Sequence, residues 1–270
     1  MKKYIGADLG GSAVKLVCTD EDLNIIARRR YETDGDIKRF EKELDELLLS
    51  AGTDRGSVSV CAAGVGSAIL EAMPLPIKFI SEFEAFGRGG QIMSGRTETL
   101  VVSMGTGTAF VSARENEYRH MGGSGVGGGT LCGLSLLLTG EKNIFNIKDM
   151  AARGDSHAAD LTVGDITAGT AGDMADLTAA NFGKADIDLS GDDIAAALTK
   201  MVYESVGVMA AFCCKSAGFD SAVFVGAMAD LTMGEAILRK VSGLHSLEFI
   251  LPENGAFAGA LGAASALKRQ

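Results

Sequence analysis

The 270-residue chain has no tryptophan, three prolines, four tyrosines and three histidines. Its five cysteines, at 18, 61, 132, 213 and 214, include no C-x-x-C pair. An odd count without that spacing argues against a disulfide framework or a zinc site and for a reduced, cytoplasmic protein. His120, His157 and His245 are too far apart in sequence to suggest a His-rich metal centre. Scarce proline and the lack of a G-X-Y period exclude a collagen-like chain. No apolar run reaches the roughly 18 residues of a bilayer span. Met1 to Tyr4 leads into a strand-like segment interrupted by Asp8, so neither a membrane span nor a signal peptide is expected. Positive charge is also short: 25 Lys and Arg against 35 Asp and Glu give a net charge of -10. Nucleic acid is therefore not an expected partner, because binding it needs a basic face that displaces counterions. An anionic small ligand is still compatible, since phosphate sites are built locally from backbone N–H groups.

What the chain has in excess is glycine, 36 of 270 residues, against about 7% in ordinary proteins. A hydrophobic fraction of 47% and a charged fraction of 22% exclude a disordered chain, and the succession of strands and helices reads as an α/β fold. Strands are expected at Tyr4–Asp8, Ala13–Cys18 and Ile25–Tyr31, with Arg28 to Arg30 as a solvated strand end. Asp34 is a candidate cap for a helix to about Ser50, with Ile37, Phe40, Leu44, Leu47 and Leu48 at helical spacing and Gly52 as its stop. A strand at Val58–Cys61, a short one at Ile77–Ile80 and a glycine-weakened helix from Glu84 to about Met93 follow. The pattern then restarts about 95 residues on: strand Leu100–Ser103, turn Gly105–Gly107, strand Thr108–Ala113 and a third strand near Tyr118–Met121. The repeat predicts two related lobes, residues 1–95 and 96–270, with a cleft between them. Beyond it come a helix at Leu131–Leu138, mixed structure over 151–189 and a long helix from Ser190 and its Asp193 capping partner to about Ala217. A strand at Ala222–Val225, a helix at Asp230–Val241, a strand at Leu247–Leu251 and a closing helix over 255–268 complete the chain. The small face Gly255, Gly259 and Ala263 reads as core packing before it reads as a binding surface.

Four segments could carry chemistry. Asp8-Leu9-Gly10-Gly11-Ser12, followed by Lys15, is either an ordinary hairpin or a loop whose N–H groups face an anion, with Asp8 holding Mg2+ through water. Ser103-Met104-Gly105-Thr106-Gly107-Thr108 repeats that design, and two such turns face to face would clamp a polyphosphate. Between Gly122 and Gly129 six of eight residues are glycine, and a helix follows whose N-terminus could face a phosphate. In Ser81-Glu82-Phe83-Glu84, Glu82 is either a general base or a solvated first-turn carboxylate, while Glu84 could serve the helix dipole.

Taken together with Asp176-Leu177-Thr178-Ala179-Ala180-Asn181-Phe182-Gly183 and Glu253-Asn254-Gly255-Ala256-Phe257-Ala258-Gly259-Ala260, these segments resemble the type II pantothenate kinases over nearly the whole chain. The resemblance implies an actin-like fold of two ribonuclease H-like lobes with the closing helix returning to the first. It implies ATP-dependent phosphorylation of the primary hydroxyl of pantothenate, the first step of coenzyme A synthesis, by a Mg2+-dependent homodimer. Carried over by position, Asp8, Gly10, Gly11, Ser12 and Lys15 form the first phosphate loop and Glu82 is the base. Gly105, Thr106, Gly107, Gly128, Gly129, Thr130, Leu131 and Cys132 would line the nucleotide.

Four positions depart from the family pattern. His120 stands where an Arg commonly grips the substrate carboxylate, with Arg119 one place earlier as its candidate replacement. Ala109 stands in place of a small hydroxyl residue, Ser103 of an Asn, and Ala227 of a Ser. His120 and Ala109 open the acceptor question, because neutral imidazole binds carboxylate less well than a bidentate Arg. Pantetheine is the alternative acceptor. Two further alternatives are an ATP-driven iron–sulfur activator of 2-hydroxyacyl-CoA dehydratases, suggested by Cys61-Ala62-Ala63-Gly64, and a non-reactive nucleotide sensor.

Overall fold

The computed structural model describes residues 2–167, 170–229 and 231–268. Its first part runs β1 (Lys3–Leu9), β2 (Ala13–Thr19), β3 (Ile25–Glu32), α1 (Ile37–Ser50), β4 (Val58–Ala63), β5 (Ile77–Phe79) and α2 (Glu82–Ser94). The second runs β6 (Glu98–Met104), β7 (Thr108–Arg114), β8 (Glu117–Ser124), α3 (Gly128–Thr139), α4 (Ile144–Arg153), β9 (Leu161–Thr162), α5 (Val163–Ile166) and β10 (Thr178–Ala180). It ends with α6 (Gly191–Ala217), β11 (Ser221–Val225), α7 (Glu235–His245), β12 (Glu248–Ile250) and α8 (Ala258–Ser265).

The expected repeat is present in the sheets. One sheet has the order β3-β2-β1-β4-β5, the other β8-β7-β6-β11-β12. In each, the first three strands are antiparallel and the last two add in parallel. The likeness extends to single backbone atoms. Gly64 after β4 and Gly226 after β11 both have positive φ, 96° and 94°. A Cβ on Gly64 would lie 2.5 Å from the Leu9 carbonyl oxygen, and one on Gly226 the same distance from that of Met104. Leu9 and Met104 end equivalent strands, so the same crossing of two strand ends demands glycine twice.

Several boundaries differ from the sequence expectation. Asp36, not Asp34, caps α1 by accepting from the Lys38 N–H, while Asp34 pairs with Arg39 at 2.6 Å. Helix α2 starts at Glu82, capped by Ser81, two residues earlier than expected. Its glycines are kept because they pack, not because the helix breaks. Strand β8 continues through Ser124, so part of the glycine run is ladder rather than loop. Asp230, the expected start of a helix, lies outside the described residues, and α7 begins at Glu235 after a 3-10 turn at Thr232–Gly234. Residues 151–189 hold α5 and the β9–β10 pair, braced against α6 by Thr178, whose hydroxyl donates to Glu204 at 2.6 Å. Helix α6 is long and apolar enough by composition to cross a membrane, yet 56% of its apolar window is buried inside the protein. Its Leu198, Val202, Tyr203 and Val206 lie in the core under the second sheet.

Two helices cross between the sheets. Phe86 of α2 packs on Val101, Val111, Val223 and Val225 of the second sheet. Ala260 and Ala264 of α8 pack on Tyr4 and Val17 of the first. The two helices meet almost without side chains. A Cβ on Gly262 would overlap the Ala85 carbonyl oxygen, one on Gly89 that of Ala258, and one on Gly6 that of Ala260. Gly255, Gly259 and Ala263, the small face read from the sequence, are all buried, with Gly259 against Asp8 and Phe86.

Close packing of this kind leaves no room for a methyl group, so Gly262→Ala should cost about 1–3 kcal/mol or more, the usual toll of overpacking. Gly133→Ala, in α3 with nothing within 4 Å of its would-be Cβ, should be neutral or stabilising by up to about 1 kcal/mol. Equal urea midpoints for the two variants would show that the helix contact yields freely.

Candidate active site

Both β-hairpin turns of the repeat point into one cavity of about 540 Å³ between the sheets. The first turn contributes Gly10, Gly11 and Ser12, the second Gly105, Thr106 and Gly107. They touch: Ser12 Oγ and Thr106 Oγ1 are 2.7 Å apart. The N–H groups of Gly10 and Gly105 are spent inside their own turns, on the carbonyls of Ala13 and Gly107. Among the described residues, those of Gly11, Ser12, Thr106 and Gly107 have no protein acceptor, and so are available to an anion.

Asp8 is the next-to-last residue of β1, beneath the first turn. It is 2% exposed, pairs with Lys15 at 3.3 Å, and sits over Gly259 of α8, where a Cβ would come within 2.9 Å of its Oδ2. Burial pushes its carboxyl above the ordinary Asp range, and Lys15 only partly opposes this. Glu82, the first residue of α2, faces the same cavity. Its carboxyl is also raised, first by burial and then by the Asp8 charge, with Lys15 and His120 pulling the other way. Glu84 points elsewhere and accepts from Arg88 at 2.8 Å. Of the two carboxylates in the Glu82-Phe83-Glu84 segment, only Glu82 is poised over the site.

Opposite Glu82 lies a row across the second sheet. Ser103 faces Ala109, and Ala109 faces Gly123, in register; all three line the cavity. A bulge in β8, between the partners of Phe110 and Val111, adds one residue to the strand. It brings His120 rather than Met121 onto the row's face, since opposed residues share a face. The His120 ring stacks on Phe83, next to Glu82, with centroids 4.1 Å apart and planes within 10°. Arg119 is opposite Ser112 and so lies on the other face. That corrects its expected role: strand alternation carries it away from Glu82.

Of the third glycine segment, Gly123 and Ser124 face the cavity, and the later glycines do not. The Gly128 N–H donates to the Gly105 carbonyl at 2.9 Å and that of Gly129 to Thr106 at 2.8 Å. A Cβ on Gly127 would come within 2.8 Å of Gly107, and one on Gly129 within 2.9 Å of Thr106 Cγ2. These glycines clear space for the second turn. The Thr130 hydroxyl donates to the Gly125 carbonyl, Leu131 is fully buried in the core, and half-buried Cys132 packs against that core. Gly128, Gly129, Thr130, Leu131 and Cys132 thus support the turn from behind; none lines the cavity. The segment Asp176–Gly183 is likewise outside it: Asp176 pairs with Lys240 and the Phe182 N–H donates to buried Asp160.

The cavity also holds residues that the sequence reading did not single out as lining it: Arg30, Val65, Phe86, Gly226 and Ala256. Gly226 had a signal, a glycine at a strand end like Gly10 and Gly105. Arg30 had one too, because β3 pairs with β2 so that Arg30 lies directly opposite Lys15. Cys61 is fully buried in β4, and burial pushes its thiol up to about 11.

Comparison with known proteins agrees with this geometry. The Type II pantothenate kinase of Staphylococcus aureus (strain USA300) is 29% identical over 273 residues, covering 96% of this chain and 97% of its own. Among solved structures, the Acidaminococcus fermentans (R)-2-hydroxyglutaryl-CoA dehydratase component A has a TM-score of 0.68 at 14% identity, covering 98% of this chain and 96% of that one. A ROK family glucokinase from Streptomyces griseus, in complex with glucose and AMPPNP, has a TM-score of 0.64 at 14% identity, covering 98% of both chains. At such identities these two share the fold: a two-lobed, actin-like α/β architecture. The family model described as Fumble matches residues 94–263, more than half of the sequence, and the chain belongs to the Fumble family.

Proposed function

We propose that the protein is a pantothenate kinase, transferring the γ-phosphoryl group of ATP to the primary hydroxyl of pantothenate. The observation that carries this is Glu82: a raised, half-buried carboxylate at the mouth of a helix, across a cavity from two turns with free N–H groups. The hydroxyl proton passes to the Glu82 carboxylate as the alcohol oxygen bonds to phosphorus. The bond from phosphorus to the leaving ADP oxygen breaks in the same displacement. Phosphoryl transfer of this kind asks the protein chiefly for positioning and charge. Gly11, Ser12, Thr106 and Gly107 supply N–H donors to phosphate oxygens, and Lys15 supplies positive charge beside Asp8.

Asp8 fits a Mg2+ role. It is a buried carboxylate paired with Lys15, and no group of three metal-binding side chains occurs among the described residues. Mg2+ characteristically takes one or two carboxylates, waters and substrate phosphates. The ion would be held by Asp8 through water and would neutralise phosphate charge. We place the enzyme in the cytoplasm, in keeping with five unpaired cysteines. A homodimer would cover the apolar surface left exposed at Leu136, Leu137, Leu138 and Phe145.

A second reading of the acceptor, pantetheine, is favoured by one feature. Beside the Glu82 end of the cavity, though not in its lining, His120 is stacked on Phe83, and a neutral imidazole there binds an acid less well than a guanidinium would.

Three outcomes test these roles. Glu82→Gln should lower kcat by about 10²–10⁴-fold, the usual worth of a general base, with nucleotide affinity retained; wild-type turnover would remove Glu82 from the chemistry. The base works deprotonated, so kcat/KM should fall as pH drops through a Glu82 value above the ordinary 4.5. An acid limb at or below 4.5 would contradict the raised carboxylate. His120→Arg should lower KM for pantothenate but not for pantetheine, while Arg119→Ala should move neither. A pantothenate-selective loss in Arg119→Ala would restore the grip to that residue.

A further inference from the structure

Arg30 is an exposed cation on the edge strand β3, yet it lines the cavity. Its position follows from register. Lys15 and Arg30 are directly opposed in the antiparallel β2–β3 pair, so both side chains leave the sheet on the same face. Their situations differ. Lys15 is held by Asp8 at 3.3 Å. Arg30 has no hydrogen-bond, ion-pair or ring partner among the described residues. Its neighbours are engaged: Arg28 bonds Asn254 and lies over Phe257, and Arg29 reaches Ser50 and Glu46.

The charge count of the cavity makes this matter. Its lining has two carboxylates, Asp8 and Glu82, and two permanent cations, Lys15 and Arg30. Lys15 is matched by Asp8. Arg30 alone offsets Glu82, and without it the lining would be net negative where a polyphosphate has to bind. The equivalent position in the second sheet, opposite Ala109, is Gly123. One wall therefore presents a cation where the other presents bare backbone.

The sheet also decides which anion Arg30 meets. β3 is one edge of the first sheet; Glu82 follows β5, the other edge. His120, stacked on Phe83 and acting on the Glu82 carboxyl, marks the Glu82 side. Arg30 flanks the Gly10–Ser12 turn instead. We infer that Arg30 binds the nucleotide's polyphosphate chain, as a second cation beside Lys15, and takes no part in holding the acceptor. The inference rests on the kinase reading only in requiring a nucleotide in this cavity.

The test separates nucleotide from acceptor. Calorimetry with the magnesium complex of AMPPNP, without acceptor, should show Arg30→Ala weakened roughly tenfold or more, the scale of a lost charge-assisted hydrogen bond. Arg30→Lys should recover part of the loss, since it restores charge without the planar fork. KM for ATP should rise in step, with KM for pantothenate and for pantetheine unchanged. An unfolding midpoint matching wild type excludes a folding defect, and Arg30→Lys serves as the reporter if Arg30→Ala unfolds. Unchanged AMPPNP affinity in both variants, a wild-type chain that does not bind AMPPNP, or a rise confined to KM for pantothenate would each overturn the assignment. If wild type binds AMPPNP but no alcohol stimulates ATP use, the kinase reading falls while the Arg30 result stands.

Discussion

The structure depends on one contact, the approach of α2 and α8 to backbone distance. Each helix is grown from one sheet and buried against the other: α2 follows β5 but packs on the second sheet, and α8 follows β12 but packs on the first. Neither sheet is complete without the helix that the other supplies. Glycines at 89 and 262 make the crossing tight enough that carbonyl oxygens take the place of side chains, and Gly6 of β1 lets the first sheet approach α8 as closely. The position of Glu82 is a by-product of this crossing. The helix that joins the halves begins at the cavity, and its first residue is the carboxylate.

The cavity's electrostatics follow from the same packing. Gly259 admits the Asp8 carboxylate against α8, out of water. A buried carboxylate is costly, and Lys15 only partly offsets the cost. The Asp8 charge in turn raises Glu82, which makes Glu82 a stronger base than a solvated glutamate. Anion binding is left to N–H groups and to cations rather than to overall charge. An acidic chain of net charge -10 can thus carry a phosphate site.

Much of this was legible in the sequence because strands and turns leave local marks. The two glycine turns, the 95-residue repeat and the helix over Phe40, Leu44 and Leu47 were all readable from spacing. The misreadings share a cause: they needed a partner that lies far away in sequence. Glycines 127 to 129 are marked as a phosphate loop by composition, but their neighbour is the second turn. Leu131 sits beside that loop in sequence and in the core in space. The run Arg28 to Arg30 looked like one solvated tip. Pairing with β2 sorts it into two residues with protein partners, Arg28 and Arg29, and a cavity cation, Arg30. The His120–Arg119 choice turns on a single extra residue in β8, which no periodicity announces.

The contact between Ser12 and Thr106 closes one end of the cavity with a hydrogen bond between its two walls. The two hydroxyls stand 94 residues apart in the chain, so this one bond ties the two turns to each other directly rather than through their sheets. The free N–H groups of one wall are thereby spaced against those of the other, and a turn can serve as half of an anion site only because its counterpart is fixed beside it.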